Sequence, residues 1–230
     1  MKLEIDNRSL AERAADKMEN LIQDGLFVPG DKFPNESDLS EMLQVGRSTI
    51  REAIKILESR NVLKIRRGYG TYVCQNVGIT KDPFGFRFMG PQKELSLDLC
   101  EMRMMLEPNI ARLAAKNASE KDIAEIQRIC DEVAELIQQG KNYGQKDMDF
   151  HTKIAESAGN MVITRVIPII CSGIETYIEV TNFNRAGTAA ITHQQIVDAI
   201  RARDGDAAFA AMKQHIKDNR ATLLLLPDDF

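Results

Sequence analysis

Apolar side chains recur at helical spacing through most of the chain, and the pattern breaks near the front. Leu10, Ala14, Met18, Leu21 and Ile22 keep a three-and-four rhythm that stops at Gly25. Pro29-Gly30-Asp31 reads as a turn. Asn35 is placed to cap a short helix, with Asp38 three positions on and Leu39, Met42 and Leu43 facing inward. After Val45-Gly46 a second short helix is predicted from Arg47 or Ser48 to about Ser59, with Ile50, Ala53, Ile54 and Leu57 as its apolar face. Val62 to Arg66 and Thr71 to Val73 then read as two strands joined by the glycine-rich tip Arg67-Gly68-Tyr69-Gly70. Helix, helix, tight turn, helix and hairpin, in that order, make a winged helix-turn-helix.

From about residue 94 to 226 the chain reads as helix after helix. Between the two textures, Gly78, Pro83, Gly85, Gly90 and Pro91 mark a linker. The expected organisation is a winged helix-turn-helix over 1–76, a linker over 77–93 and an all-helical bundle over 94–230, so the fold class is mainly α. Pro108 and Pro168 fall inside predicted helices, where kinks or breaks are expected. Met161 to Val180 is the most apolar stretch, but Arg165, Pro168 and Glu175 interrupt it, so it reads as a buried helix and not a membrane span.

Composition removes further classes. A net charge of −4 over 230 residues excludes a uniformly basic coat. The N-terminus has no apolar core of signal-peptide length. Cys74, Cys100, Cys130 and Cys171 form no CxxC pair, which points to reduced thiols and a cytoplasmic location.

Charge is nonetheless uneven. Residues 47–70 carry seven Lys and Arg against two Glu, a local +5 on the second short helix and the hairpin. A stripe of this kind is enough to attract phosphates. A helix in the major groove reads bases with its first turn, and Arg47, Ser48, Thr49 and Arg51 lie there. Arg66, Arg67 and Gly68 at the wing tip suit the neighbouring minor groove. A merely solvated basic helix would show the charge without this element order.

The chain holds only three histidines, and each lies on the apolar stripe of a different predicted helix. His151 shares a face with Ile154, Ala155 and Ala158, and Asp147 lies four residues before it on that face. His193 aligns with Ile196, Val197 and Ile200, and His215 with Ala208, Ala211 and Met212. They are either satisfied core residues or, with Asp147, the ligands of a divalent metal such as zinc, nickel or manganese. Arg103 falls on an inward stripe with Leu99, Leu106, Ile110 and Leu113. A buried cation needs a partner. It either pairs with Glu107, one turn on, or forms a socket for a ligand carboxylate.

Three stretches of the front half resemble the GntR family of bacterial transcription regulators: Gly25 to Leu39 (GLFVPGDKFPNESDL), Val45 to Ile54 (VGRSTIREAI) and Arg67 to Val73 (RGYGTYV). Gly46 departs from the Ser or Thr usual there, and Ser37 from an Arg common there. Both departures bear on operator affinity. In the back half, Glu101 to Ala111 (EMRMMLEPNIA), Asp147 to His151 (DMDFH), Gly159-Asn160 and His193 through Asp198 and Asp206 to His215 resemble the FCD ligand domain of the FadR-type branch. That resemblance implies a metal held by Asp147, His151, His193 and His215, with zinc the foremost candidate. It implies a small carboxylate effector, such as a hydroxy or sugar acid, bound through Arg103 and Asn160. The fatty-acyl-CoA-sensing member lacks this metal set, which argues against an acyl-CoA ligand here.

The expected function is a DNA-binding repressor, a homodimer on a pseudo-palindromic operator, without a membrane partner, released or tightened by that effector. Two alternatives stand beside it: a metal-dependent hydrolase or lyase, and a regulator whose metal is purely structural.

Overall fold

Ser9 opens the first helix of the structure, a computed structural model that describes residues 8–80, 82–180 and 186–227, with the side chains of Arg87, 172–180, 186 and 187 excepted. The first seven and last three residues of the expected domains lie outside the described residues. The Ser9 hydroxyl accepts from the Glu12 amide, and the Glu12 carboxylate accepts from the Ser9 amide, which closes a capping box on α1 (Leu10–Gln23). Ala14, Ala15 and Met18 are its buried face. Asn35 caps α2 (Glu36–Leu43) by accepting from the Ser37 and Asp38 amides. Gln44, left-handed at φ 55°, turns the chain into α3 (Arg47–Ser59). Gly46 stands at the N-cap of α3 and gives it no side-chain hydrogen bond. Ile50, Ala53, Ile54 and Leu57 pack α3 into the small core with Met18, Phe33 and Leu39.

Strands β1 (Leu63–Arg66) and β2 (Gly70–Val73) pair antiparallel, Leu63 opposite Val73 and Arg66 opposite Gly70. Gly68 at φ +80° and Gly70 at φ +114° close the tip, a conformation that side chains with a Cβ rarely adopt. The segment after the first helix is more than the expected turn. Lys32 forms an isolated bridge to Tyr72, the Phe33 amide donates to Thr71 O and the Val73 amide to Asp31 O, so 30–33 runs alongside β2.

The chain divides into two compact units, with the boundary between Pro83 and Phe84. In the second, a short 3-10 turn (Phe86–Phe88) precedes six helices among the described residues: α4 (Gln92–Asn117), α5 (Glu120–Gln138), α6 (Gly144–Ser157), α7 (Met161–Val180), α8 (Ala186–Arg201) and α9 (Gly205–Leu224). Helix α4 runs through the middle and touches α6, α7, α8 and α9. Neither Pro108 in α4 nor Pro168 in α7 ends its helix, so of the expected kinks or breaks the breaks are absent. The core gathers Ile110, Ile126, Phe150, Ile154, Ile196 and Ile200. Leu113, expected inward, is 38% exposed and lines a groove between α4 and α7. All four cysteines are buried and free.

Candidate functional site

The first unit presents its charge on the surface. Arg47, Ser48 and Arg51 are exposed on the first turns of α3, with Thr49 half-buried beside them. Their roots are fixed by the buried Ile50, Ala53 and Ile54. Arg47 Nη2 donates to Ser37 Oγ at 3.0 Å. The Arg51 fork meets Glu36, with Nε to Oε1 at 3.1 Å and Nη2 to Oε2 at 2.8 Å. Arg66, Arg67 and Gly68 are exposed at the wing tip, and the Arg66 guanidinium lies 4.6 Å above the Tyr72 ring. Arg60 behaves differently from the rest of the stripe. It turns back to α1 and pairs with Glu19 at 3.3 Å and Asp16 at 3.6 Å.

The second unit hides its charge. Asp147 sits in the first turn of α6, where the helix dipole favours an anion. His151 lies one turn later, His193 comes from α8 and His215 from α9, and all four are buried. One candidate ligand atom from each lies within 4.8 Å of the others. The ring centroids of His193 and His215 are 4.6 Å apart, those of His151 and His215 5.1 Å. Asp147 faces two of the rings, with Oδ1 3.3 Å from His193 Nε2 and Oδ2 3.7 Å from His151 Nε2. Neither nitrogen of the buried His193 has an aligned hydrogen-bond partner. A buried polar atom without a partner is costly, and a cation would satisfy it.

Protonation suits the same purpose. Burial alone would raise the Asp147 carboxyl, but the contact with His193 and the charges of His151, His193 and Arg103 outweigh it and hold it down at about 2. Burial pushes His193 down, against the pull of Asp147, and pushes His215 well down, with the neighbouring imidazoles adding to it. At neutral pH Asp147 is thus a carboxylate while His193 and His215 favour the neutral form, the state in which these groups ligate metals.

Arg103 reaches this cluster from α4 and is 1% exposed. It pairs with Glu107 through Nε, and its Nη2 lies 2.9 Å from His151 Nε2. Glu107 also lies 2.6 Å from His151 Nδ1 and 3.7 Å from Cys171 Sγ. Burial would raise Glu107, but Arg103 and His151 hold it well below the usual carboxylate range. Asn160 does not join the cluster. It is exposed, and its amide oxygen accepts from the Val162 and Ile163 amides at the start of α7. Asp149 also points away and contacts Gln145 and Lys146. Glu107 and Thr192 complete the polar centre; the sequence offered Glu107 only as a partner of Arg103 and did not single out Thr192. Both fall on inward faces, which is the signal that marks them.

Residues 10–73 match the bacterial regulatory proteins of the gntR family, and residues 98–218 match the FCD domain. The HTH-type transcriptional regulator YcbG of Bacillus subtilis is 29% identical over 96% of this chain and 92% of its own length. The Uxu operon regulator of Haemophilus influenzae is 29% identical over 90% of this chain and 79% of its own. A GntR structure from Streptococcus agalactiae superposes with a TM-score of 0.81 at 33% identity, covering 92% of this chain and 99% of that one. Exposed arginines on a helix-turn-helix, a helical bundle following it in the chain and relatives that are regulators and not enzymes all agree. The chain belongs to the gntR family of bacterial regulatory proteins and is a DNA-binding transcription regulator with an FCD domain.

Proposed function

We propose that this regulator is a cytoplasmic repressor whose grip on DNA is set by a small carboxylate bound at a divalent metal in the helical unit. The observation that carries this is the buried set Asp147, His151, His193 and His215, with unpartnered nitrogens on His193 and a guanidinium 2.9 Å from His151. Three imidazoles and one carboxylate suit zinc first, then nickel or manganese. When bound, the metal supplies a Lewis-acidic centre for an effector oxygen. Asp147 would bring the negative charge, and the three histidines would bring nitrogen donors. Arg103 offers a planar fork that matches a carboxylate. Because Glu107 already pairs with it, the effector carboxylate enters by sharing that fork. A hydroxy or sugar acid provides both the carboxylate and a second oxygen for the metal. Asn160, spent on the α7 cap, has no part in this pocket.

On DNA, Arg47, Ser48, Thr49 and Arg51 face the major groove, while Arg66, Arg67 and Gly68 reach the adjacent minor groove. Two copies meet a pseudo-palindromic operator. The groove between α4 and α7, with Met105, Leu113, Val162 and Val166 on its walls, gives the second copy an apolar seat. The effector shifts operator affinity by preferring one conformer of the dimer, as linkage requires. The linker 77–93 carries that preference between the units.

The test is a thermal-shift series with zinc, nickel and manganese, each with and without small hydroxy and sugar acids, followed by operator binding under the same conditions. Metal raises the melting temperature, an acid raises it further, and the same acid weakens the operator complex. Metal-loaded protein that binds operator equally with every acid tried overturns the sensor, and a melting rise without any effector response leaves the metal a structural role.

A further inference from the structure

Two of the three histidines are held from behind, and the third is not. Arg103 Nη2 lies 2.9 Å from His151 Nε2. A guanidinium only donates, so that nitrogen carries the lone pair and the ring proton sits on Nδ1. Nδ1 in turn lies 2.6 Å from Glu107 Oε2, a short contact without ideal alignment. At His215 the same arrangement is built from different residues. Thr192 Oγ1 donates its single proton toward the α8 carbonyls of Thr188 at 3.0 Å and Ala189 at 3.1 Å. Its lone pairs are left to accept from His215 Nδ1 at 2.9 Å. Asn219 Nδ2 faces His215 Nε2 at 3.1 Å and donates to the lone pair there. His193 has no such support. Its Nδ1 has no hydrogen-bond partner, its Nε2 faces only the candidate ligand Asp147 at 3.3 Å without alignment, and its ring rests on Phe150 at 4.2 Å with a 27° tilt.

We propose that Thr192 and Glu107 are positioning residues that hold His215 and His151 with the proton on Nδ1, so that each offers Nε2 to the metal, and that His193 is the adaptable ligand. The proposal rests on the metal reading of this cluster. A hydrogen bond on the far nitrogen fixes the tautomer and the ring orientation of a ligating histidine. Thr192 does this from the residue next to His193, so α8 supplies one ligand and the support of another. Stacking on Phe150 fixes a ring plane, and the unaligned 3.3 Å approach of Asp147 to Nε2 is to a fellow candidate ligand, so no group behind His193 chooses its tautomer as one does for the other two.

Thr192 is the residue to test, because altering Glu107 also strands Arg103. Long-range 1H–15N spectra of metal-free, full-length protein read the tautomers directly, and only three imidazoles need assignment. His215 and His151 are expected as Nδ1–H forms. His215 found as the Nε2–H form, or as an even mixture, overturns the proposal. Cobalt(II) titration then compares wild type, Thr192→Val and Thr192→Ser. The valine variant keeps the shape without the hydroxyl. It is expected to bind about 10- to 100-fold more weakly, with a changed visible spectrum, and serine is expected to restore both. Wild-type affinity and spectrum in Thr192→Val overturn the assignment. Wild-type protein that takes up no cobalt overturns the metal reading beneath it. Should Thr192→Val fail to fold, the tautomer spectra of the wild type decide alone.

Discussion

Arg51 and Arg103 each pair with a glutamate through a guanidinium fork, and the two pairs do opposite work. Arg51 and Glu36 lie on the surface of the first unit, with side chains 60% and 38% exposed. Arg103 and Glu107 lie in the second unit, 1% and 3% exposed. Water screens the first pair, so it adds little stability and leaves Arg51 available to an incoming phosphate. The second pair has lost its hydration, so either member without the other is a buried uncompensated charge. The same chemistry leaves one guanidinium open to solvent at the surface and fixes the other in a buried polar cluster.

The contrast is sharpest if one partner is removed. Glu107→Ala should lower unfolding free energy by about 3–5 kcal/mol, read as a fall in the urea midpoint, because Arg103 is left unpaired. A near-neutral result would place Arg103 in contact with water and dissolve the contrast. Next, metal at about 100 times its Kd should stabilise the wild type by roughly 2.7 kcal/mol, and His193→Ala should lose most of that gain while its operator affinity without effector stays unchanged. Acid probes the same interior. The folded-state values of His193 and His215 are pushed down, so the unfolded chain binds protons first. Their contribution is complete above about pH 6.5 and declines as pH falls below it. The lowered Asp147 extends that loss from about pH 4 down toward 2. A urea midpoint flat from pH 7.5 to 5 in metal-free protein would contradict this. On the surface, Arg47→Ala should cost about 1–3 kcal/mol of operator binding by fluorescence anisotropy and leave the melting temperature unchanged. The smallest effect belongs to Glu36→Gln, whose urea midpoint should match wild type.

The two units also differ in how openly the sequence declares them. Helix α3 and the hairpin follow from local rhythm, since Ile50, Ala53, Ile54 and Leu57 recur at helical spacing and glycines stand where the tip needs positive φ. The strand-like path of 30–33 was not legible. Gly30 to Phe33, flanked by Pro29 and Pro34, lacks alternation, and β2 supplies its order from far along the chain. In the bundle, periodicity placed each histidine inward, yet which faces meet is decided by the packing of α6, α8 and α9. Leu113 shows the limit of the stripe argument, because α4 has neighbours around most of its circumference and a groove at one edge. The i, i+4 spacing of Arg103 and Glu107 foretold their pairing. It did not foretell that Glu107 also meets His151, a contact made across helices. Asn160 reads as a ligand residue by resemblance and as a helix cap by structure, because the tight turn after α6 needs an acceptor for the free amides of α7.

The burial of Arg103 has a consequence for a cell whose ionic strength rises. Mobile ions screen exposed charges beyond about 8 Å at physiological concentration, and more strongly as salt increases. The arginines on α3 and the wing stand in that atmosphere, and Arg103 does not. An osmotic upshift therefore loosens the hold on DNA while the pairing of Arg103 with Glu107 stays as it was.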